Sequence, residues 1–235
     1  MKNEKKIRND LIDLIKKNHI SSVEAADALN KTGAISGVTI FNPGHFIVGK
    51  VKYVYTHSES NWALHEQIID IDEDVILYID AFNCNNKAVC GDIVLKYLFL
   101  YKGVKAVVVN GFLRDAHRLR KENYPIWLKG VTPIGCFNKK VEPPKEIERQ
   151  IEKQKILFNN NVMICDDSGC TLINKDNINN QFYKNLEAIE LQEDIWYYCI
   201  DTLKWSTFET ICLKNYLKDK KVLPSALIER LNSNI

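Results

Sequence analysis

The sequence predicts an α/β fold with a βαβ unit at its centre and a helical C-terminal extension. Three observations carry this expectation. Two apolar runs of strand length, 75–80 and 104–109, flank a stretch at 92–102 that is long enough for three helical turns. The joints between them are short, and such a strand–helix–strand unit closes as a crossover with its strands parallel. Beyond residue 180 the spacing is helical. The expected organisation is therefore an α/β domain over 1–180 and a helical extension over 181–235, packed on the domain or on a neighbouring subunit. The 235 residues, 46% hydrophobic and 26% charged, suit such a domain with an ordinary core.

Taken in order, 5–17 carries Ile7, Leu11, Ile12, Leu14 and Ile15 at helical spacing. Ser21 and Glu24 match a capping box, so a second helix is expected through Leu29, stopping near Gly33. The stretch 38–55 alternates and is punctuated by Asn42-Pro43-Gly44, which predicts two strands around a turn. Helical spacing returns at 62–69. After the strand at 75–80 comes a loop, 81–90, rich in Asn and Cys. The helix at 92–102 is apolar on most sides and is expected to be buried. Gly103 ends it, and Asn110-Gly111 turns the chain out of the next strand. A strand is expected at 125–128, a loop at 131–135, and a charged helix from Pro143-Pro144 through Lys155. The pairs 162–165 and 170–173 flank Asp166-Asp167-Ser168-Gly169, which predicts a hairpin; one turn lacks the repeated oxygen ligands that calcium needs. A long helix is expected over 180–211 and a shorter one after Leu223-Pro224.

Charge and composition exclude several functions. The 32 basic and 30 acidic residues are well mixed, giving a net charge of +2 without the basic stripe of a nucleic-acid binder. The run from His117 to Lys121 is expected to be a solvated helix face. No apolar h-region follows the N-terminus and no apolar stretch approaches the roughly 18 residues of a membrane span, so a cytoplasmic protein is expected. The seven cysteines include no C-x-x-C pair and are expected to be reduced thiols rather than a disulfide framework or a zinc cage. His57 and His65 are expected to be structural or solvent-facing. Trp196, Tyr197, Tyr198 and Trp205 are expected to serve packing or subunit contacts.

Parallel strands end on one side. The loop ending in Cys90-Gly91 and the loop running from Asn110 to Asp115 therefore emerge together, at the edge where open α/β sheets bind ligands. Gly91-Asp92 opens the central helix, whose free N–H groups favour an anion. Arg114 brings a fork of donors suited to a carboxylate. Asp115 offers the hard oxygen that magnesium or manganese prefers.

The stretch from Gly103 to Asp115, an apolar strand leading to Gly-x-x-Arg-Asp, resembles the central motif of the 4-hydroxy-4-methyl-2-oxoglutarate aldolase / RraA-like family. The flanks agree in order: Ala26-Asp27-Ala28-Leu29, Asp74-Val75-Ile76-Leu77, Gly91-Asp92, Tyr124-Pro125-Ile126, Gly130-Val131-Thr132-Pro133 and Asp166-Asp167-Ser168-Gly169. The resemblance covers roughly residues 20–210 and implies an RraA-like α/β/α sandwich, assembled as a trimer or hexamer. It also implies a metal-dependent lyase that cleaves or decarboxylates a short 2-oxo dicarboxylic acid to pyruvate through an enolate. A Mg2+ or Mn2+ ion at Asp115 would polarise the 2-oxo group. Arg114 would neutralise charge developing on the substrate. Backbone N–H groups of Gly91, Asp92, Ile93 and Val94 would take the carboxylate, and Asp92 would order water. Glu187 or Glu193 of a neighbouring subunit would complete the site, and His117 stands close enough in sequence to enter it. Two positions depart from the family's pattern. Arg118 stands where the aldolases carry an acid, and Asn110 where many members have Asp. The alternative that the resemblance offers is a non-catalytic regulator binding a protein partner such as a ribonuclease.

Overall fold

The computed structural model describes residues 2–233. The chain divides into two compact units, Met1–Ile178 and Asn179–Ile235.

The first unit is built on an eight-stranded mixed sheet. Helices α1 (Lys2–Asn18) and α2 (Ser22–Ala28) lead in. The expected capping box starts α2: the Ser21 side chain accepts from the Glu24 N–H, and the Glu24 carboxylate accepts from the Ser21 N–H at 2.8 Å. The stretch after Asn30 holds strands β1 (Thr39–Ile40) and β2 (Ile47–His57), but they do not pair with each other. β1 pairs with β6 (Ile126–Val131), whereas β2 runs parallel to β3 (Val75–Phe82) and antiparallel to β7 (Val162–Asp166). The turn at Asn42-Pro43-Gly44 thus carries the chain across the sheet instead of closing a hairpin. Asn42 is buried there, its amide donating to the Leu119 and Tyr124 carbonyls.

Helix α3 (Trp62–Gln67) with one 3-10 turn precedes β3, and α4 (Asp92–Leu100) joins β3 to β5 (Ala106–Leu113). β3 and β5 are parallel over Ile76–Asp80 against Ala106–Asn110, as the βαβ pattern requires. Two details depart from expectation. The loop after β3 ends in a short strand, β4 (Ala88–Cys90), which adds to β5 at Phe112 and Leu113. With β6 also pairing there, β5 continues through Asn110-Gly111, with a register shift, where the sequence predicted an exit. The composition of α4 is also only half explained by burial. Leu95 and Leu98 are fully buried, while Ile93 (77% exposed), Leu100 (57%) and Tyr101 (74%) face outward.

Strand alternation sorts the core onto two faces. Leu77, Ile79, Val107 and Val109 pack with Leu64, Leu95, Leu98 and Leu119, on the face covered by α3, α4 and α5 (Ala116–Glu122). Ile76, Tyr78, Ala106, Val108 and Trp127 pack on the other face with Ile147, Ile151 and Phe158 of α6 (Lys145–Phe158). This is the α/β/α layering that the sequence implies. The hairpin of β7 with β8 (Gly169–Ile173) is also as expected, with Asp166 opposite Gly169. Asp166 accepts from the N–H and hydroxyl of Ser22, both at 2.7 Å, so the hairpin anchors the start of α2.

Segment 33–41 nearly closes the sheet. Leu172 donates to the Gly33 carbonyl and Ile35 to the Cys170 carbonyl on one side; Phe41 donates to the Ile126 carbonyl on the other. Gly33 takes φ +83°, and a Cβ there would stand 2.7 Å from the Leu172 carbonyl oxygen.

In the second unit α7 (Asn180–Asp201) stops about ten residues earlier than the sequence predicted. Its last turn is closed by Trp205 N–H donating to the Cys199 carbonyl, with Lys204 at φ 58°. Two short helices follow, α8 (Asn215–Lys218) and α9 (Ser225–Ser233). Leu191, Ile195, Cys199, Tyr216 and Leu223 form its core, with Trp196, Tyr198 and Trp205 packed around it; Tyr197 faces solvent. No helix among the described residues is long and apolar enough to cross a membrane.

Two predictions follow from this packing. Gly33→Ala strains a positive φ and clashes with a strand carbonyl, so it is expected to cost about 1–3 kcal/mol in chemical denaturation. His57, buried at the end of β2, has its pKa pushed below the ordinary histidine value by loss of solvent. The unfolded chain therefore takes up the proton first. Stability should be full above about pH 6.5 and fall as the pH drops through the folded-state value. His57→Gln should flatten that limb of the stability–pH curve.

Candidate active site

The cleft lies where β4 and β5 end. Arg114 directly follows β5, and its N–H donates to the Cys90 carbonyl at 3.1 Å, which holds it beside Gly91 at the N-cap of α4. Asp115 is the N-cap of α5 in the left-handed region (φ 62°), and its carbonyl accepts from Arg118 and Leu119. The carboxylate is thereby turned back toward α4. Its Oδ2 accepts from the Asp92 N–H at 3.3 Å and lies 3.7 Å from Arg114 Nε. Gly91 makes this possible: a Cβ there would lie 2.2 Å from that oxygen. Gly135 does the same for Arg114, since its Cβ would meet a guanidinium nitrogen at 2.7 Å.

All six residues singled out in the sequence, Gly91, Asp92, Ile93, Val94, Arg114 and Asp115, line one cleft of about 200 Å³. Within it the N–H of Asp92 is aimed at Asp115, and Ile93 supports the Asp92 carboxylate through its backbone, leaving Val94 as the next open donor of the first turn. Asp92 also takes a 2.8 Å ion pair from Arg118. Its pKa is held below the usual carboxylate range, first by that hydrogen bond. The charge reversal at Arg118 therefore does not point into empty space; it pins Asp92. His117 is exposed and borders a shallow depression with Arg114 and Asp115 rather than the cleft itself. Glu187 (exposed) and Glu193 (half-buried) lie on α7 of the second unit.

Asn110 is explained by its neighbour. Asp80 is 3% exposed, and it accepts from Asn110 Nδ2 at 2.6 Å and from the Tyr53 hydroxyl at 3.3 Å. Burial raises the Asp80 pKa. An aspartate at 110 would set two carboxylates against each other in this buried place; the amide supplies a donor instead.

Sequence reasoning missed the opposite wall of the cleft. Asn61 and His65 reach it from α3 and its N-cap, and Gly135, Cys136 and Asn138 from the segment after β6. These residues come from distant parts of the chain, and the only advance sign was the turn-rich character of 131–135. Cys90 lies beneath the floor, its thiol pushed up to about 12 by burial. Among the described residues no group of three or more His, Cys, Asp or Glu is placed to hold a metal ion.

Known proteins resemble this chain in sequence and in fold. Over 183 residues the chain is 25% identical to Protein DlpA of Legionella pneumophila, covering 74% of this chain and 29% of that protein. Over 134 residues it is 26% identical to the "Putative 4-hydroxy-4-methyl-2-oxoglutarate aldolase" of Halalkalibacterium halodurans, covering 51% of this chain and 62% of that one. The chain thus spans less than two thirds of the length of either relative. In fold it is similar to Streptomyces coelicolor RraAS2, a member of the RNase ES inhibitor RraA family, with a TM-score of 0.63 at 19% identity over 79% of this chain and 96% of that one. The RraA-like family described as Aldolase/RraA matches residues 22–172, which contain the whole cleft, and the chain belongs to that family.

Proposed function

We propose that the cleft is the active site of a divalent-metal-dependent lyase. Its substrate would be a short 2-oxo dicarboxylic acid, cleaved by retro-aldol reaction or decarboxylation, with pyruvate released by way of its enolate. The observation that carries this reading is Arg114 and Asp115 set side by side against the first turn of α4, in a cleft smaller than the roughly 300–1,000 Å³ of drug-sized sites. A cation, an anion and the open N–H of Val94 together suit a small dicarboxylate.

The donor set fits Mg2+ or Mn2+ of the sparsely held kind, for which one or two carboxylates suffice and water and substrate complete the shell. Asp115 would be the protein ligand, with Asp92 beside it. Such an ion, when bound, supplies Lewis acidity at the 2-oxo oxygen. Arg114 binds a substrate carboxylate through paired donors and offsets the negative charge that grows as the bond to C3 breaks. The N-terminus of α4 orients the other end of the molecule. Asp92, kept ionised by Arg118, accepts from water in the cleft and fixes where that water stands.

The outward face of α4 supports assembly. Ile93, Leu100 and Tyr101 are an apolar strip beginning at the cleft, and a second copy packed there would shield both. We place a trimer or hexamer on this face, with Glu187 or Glu193 as the acid a neighbour would bring.

A second reading is a non-catalytic regulator that binds a ribonuclease. Arg118 favours it, because the family's aldolases carry an acid at that position.

Oxaloacetate with Mg2+ or Mn2+, followed by coupled detection of pyruvate, separates the two. The lyase reading expects turnover above the metal-only rate, with Arg114→Ala lowering kcat by about 10²–10³ and Asp115→Ala bringing it to background. Gly91→Ala, which displaces Asp115, should cost roughly tenfold or more with the fold retained. No turnover from the wild-type chain, together with retention of a ribonuclease on the immobilised protein, would leave the regulator. Tyr101→Glu is expected to lower the mass seen in sedimentation to that of a monomer.

A further inference from the structure

Two thiols stand at the cleft and have no part in the proposed reaction. Cys136 is half-buried and lines the cleft wall, its Sγ 4.0 Å from the Lys87 carbonyl oxygen; Cys84 is buried beside it in the same core cluster, its Sγ donating to the Phe82 carbonyl at 3.5 Å. Backbone bonds fix this meeting. Ala88 donates to the Ile134 carbonyl and Cys136 to the Ala88 carbonyl, both at 2.8 Å, while Lys87 donates to the Cys84 carbonyl at 2.8 Å. Phe137 donates to the Glu59 carbonyl, and the Glu59 N–H donates to the Asn83 carbonyl. The segment bearing Cys136 is thus laced to the loop bearing Cys84 on both sides.

We propose that Cys84 and Cys136 are a peroxide-oxidisable dithiol built into the cleft wall, which closes reversibly to a disulfide. The two sulfurs have different tasks. The neighbouring Cys84 side chain lowers the Cys136 pKa, while Cys136 and then burial raise that of Cys84. The Lys87 ammonium also favours the Cys136 thiolate, with Glu59 opposing. Cys136, the more accessible of the two, is therefore the nucleophile and Cys84 the resolving thiol. The other close pair, Cys165 and Cys170, faces across the β7–β8 ladder but is buried, and burial pushes the Cys165 thiol up.

The chemistry balances with hydrogen peroxide as oxidant. The Cys136 thiolate attacks one peroxide oxygen; an S–O bond forms as O–O breaks, and the departing hydroxide takes a proton to become water. The Cys84 sulfur then gives up its proton and attacks the sulfenic sulfur. An S–S bond forms as S–O breaks, and the second hydroxide leaves as water with that proton. Two thiols and one peroxide give one disulfide and two waters, and an external dithiol reverses the change.

A disulfide holds its sulfurs about 2.05 Å apart, so two free thiols must draw together to form it. Gly135 adjoins Cys136 and lies against the Arg114 guanidinium. Closure would thus shift the support beneath Arg114.

The test uses the intact chain and no substrate, so its result stands apart from the lyase reading. Before oxidation, Cys136 should alkylate with iodoacetamide several-fold faster at pH 7 than the exposed Cys212. After stoichiometric hydrogen peroxide, non-reducing peptide mapping should show Cys84 joined to Cys136, reversed by dithiothreitol. Cys136→Ser should leave Cys84 a free thiol, and Cys84→Ser should leave Cys136 as a sulfenic acid trapped by a cyclic 1,3-dione. Peroxide oxidation at other cysteines without this cross-link would overturn the proposal, as would alkylation of Cys136 no faster than that of Cys212.

Discussion

The arrangement depends on β5 having every lateral partner it can take. It is bonded to β3 through Asn110, to β6 along most of its length, and to β4 at its last two residues. A strand held on both sides has no freedom in register, and a one-residue slip would turn its buried residues outward. The position of Arg114 is therefore set by Val107 and Val109 in the core as firmly as by anything in the cleft. Asp115, one residue on, adopts a left-handed conformation that a non-glycine residue accepts at some cost; such residues gather at functional sites, where the surroundings hold them in place.

Around the cleft, two acids, Asp115 and Asp92, stand between two guanidiniums, Arg114 and Arg118. Exposed pairs of this kind contribute little to folding, so their importance is one of placement. Each carboxylate is held in one orientation by a neighbour, and each guanidinium is restrained by an acid. Asp80 differs in kind. It is buried, its ionised form is disfavoured, and Asn110 and Tyr53 are the donors that make it tolerable.

The βαβ unit was legible because its period is local: the β3 and β5 runs have strand length, and α4 between them is bounded by glycines. Arg114 and Asp115 stood out because they follow directly. The sequence could not show β4, since three residues carry no period and owe their conformation to a strand more than twenty residues away. The same cause hid the continuation of β5 through Asn110-Gly111, which looks like a turn until partners on both sides are known. The pairing of β1 with β6 rather than β2 is equally non-local. α4 was misjudged for another reason. An apolar surface on most sides says that a helix will be covered, but not that this chain alone covers it. The far wall of the cleft, from Asn61 to Asn138, is assembled by topology and bears no motif.

Segment 33–41 has a consequence for the behaviour of the protein at high concentration. Sheets with bare margins recruit further strands, from other copies or from unfolded chains, because unpaired N–H and C=O groups template addition. Here the two margins, β8 and β6, are each met by the same stretch of chain, through Gly33 and Ile35 on one and Phe41 with two-residue β1 on the other. Little unsatisfied backbone is left to seed fibrous growth. Copies that meet must do so through side chains on helices, which favours assemblies of fixed size over open-ended ones.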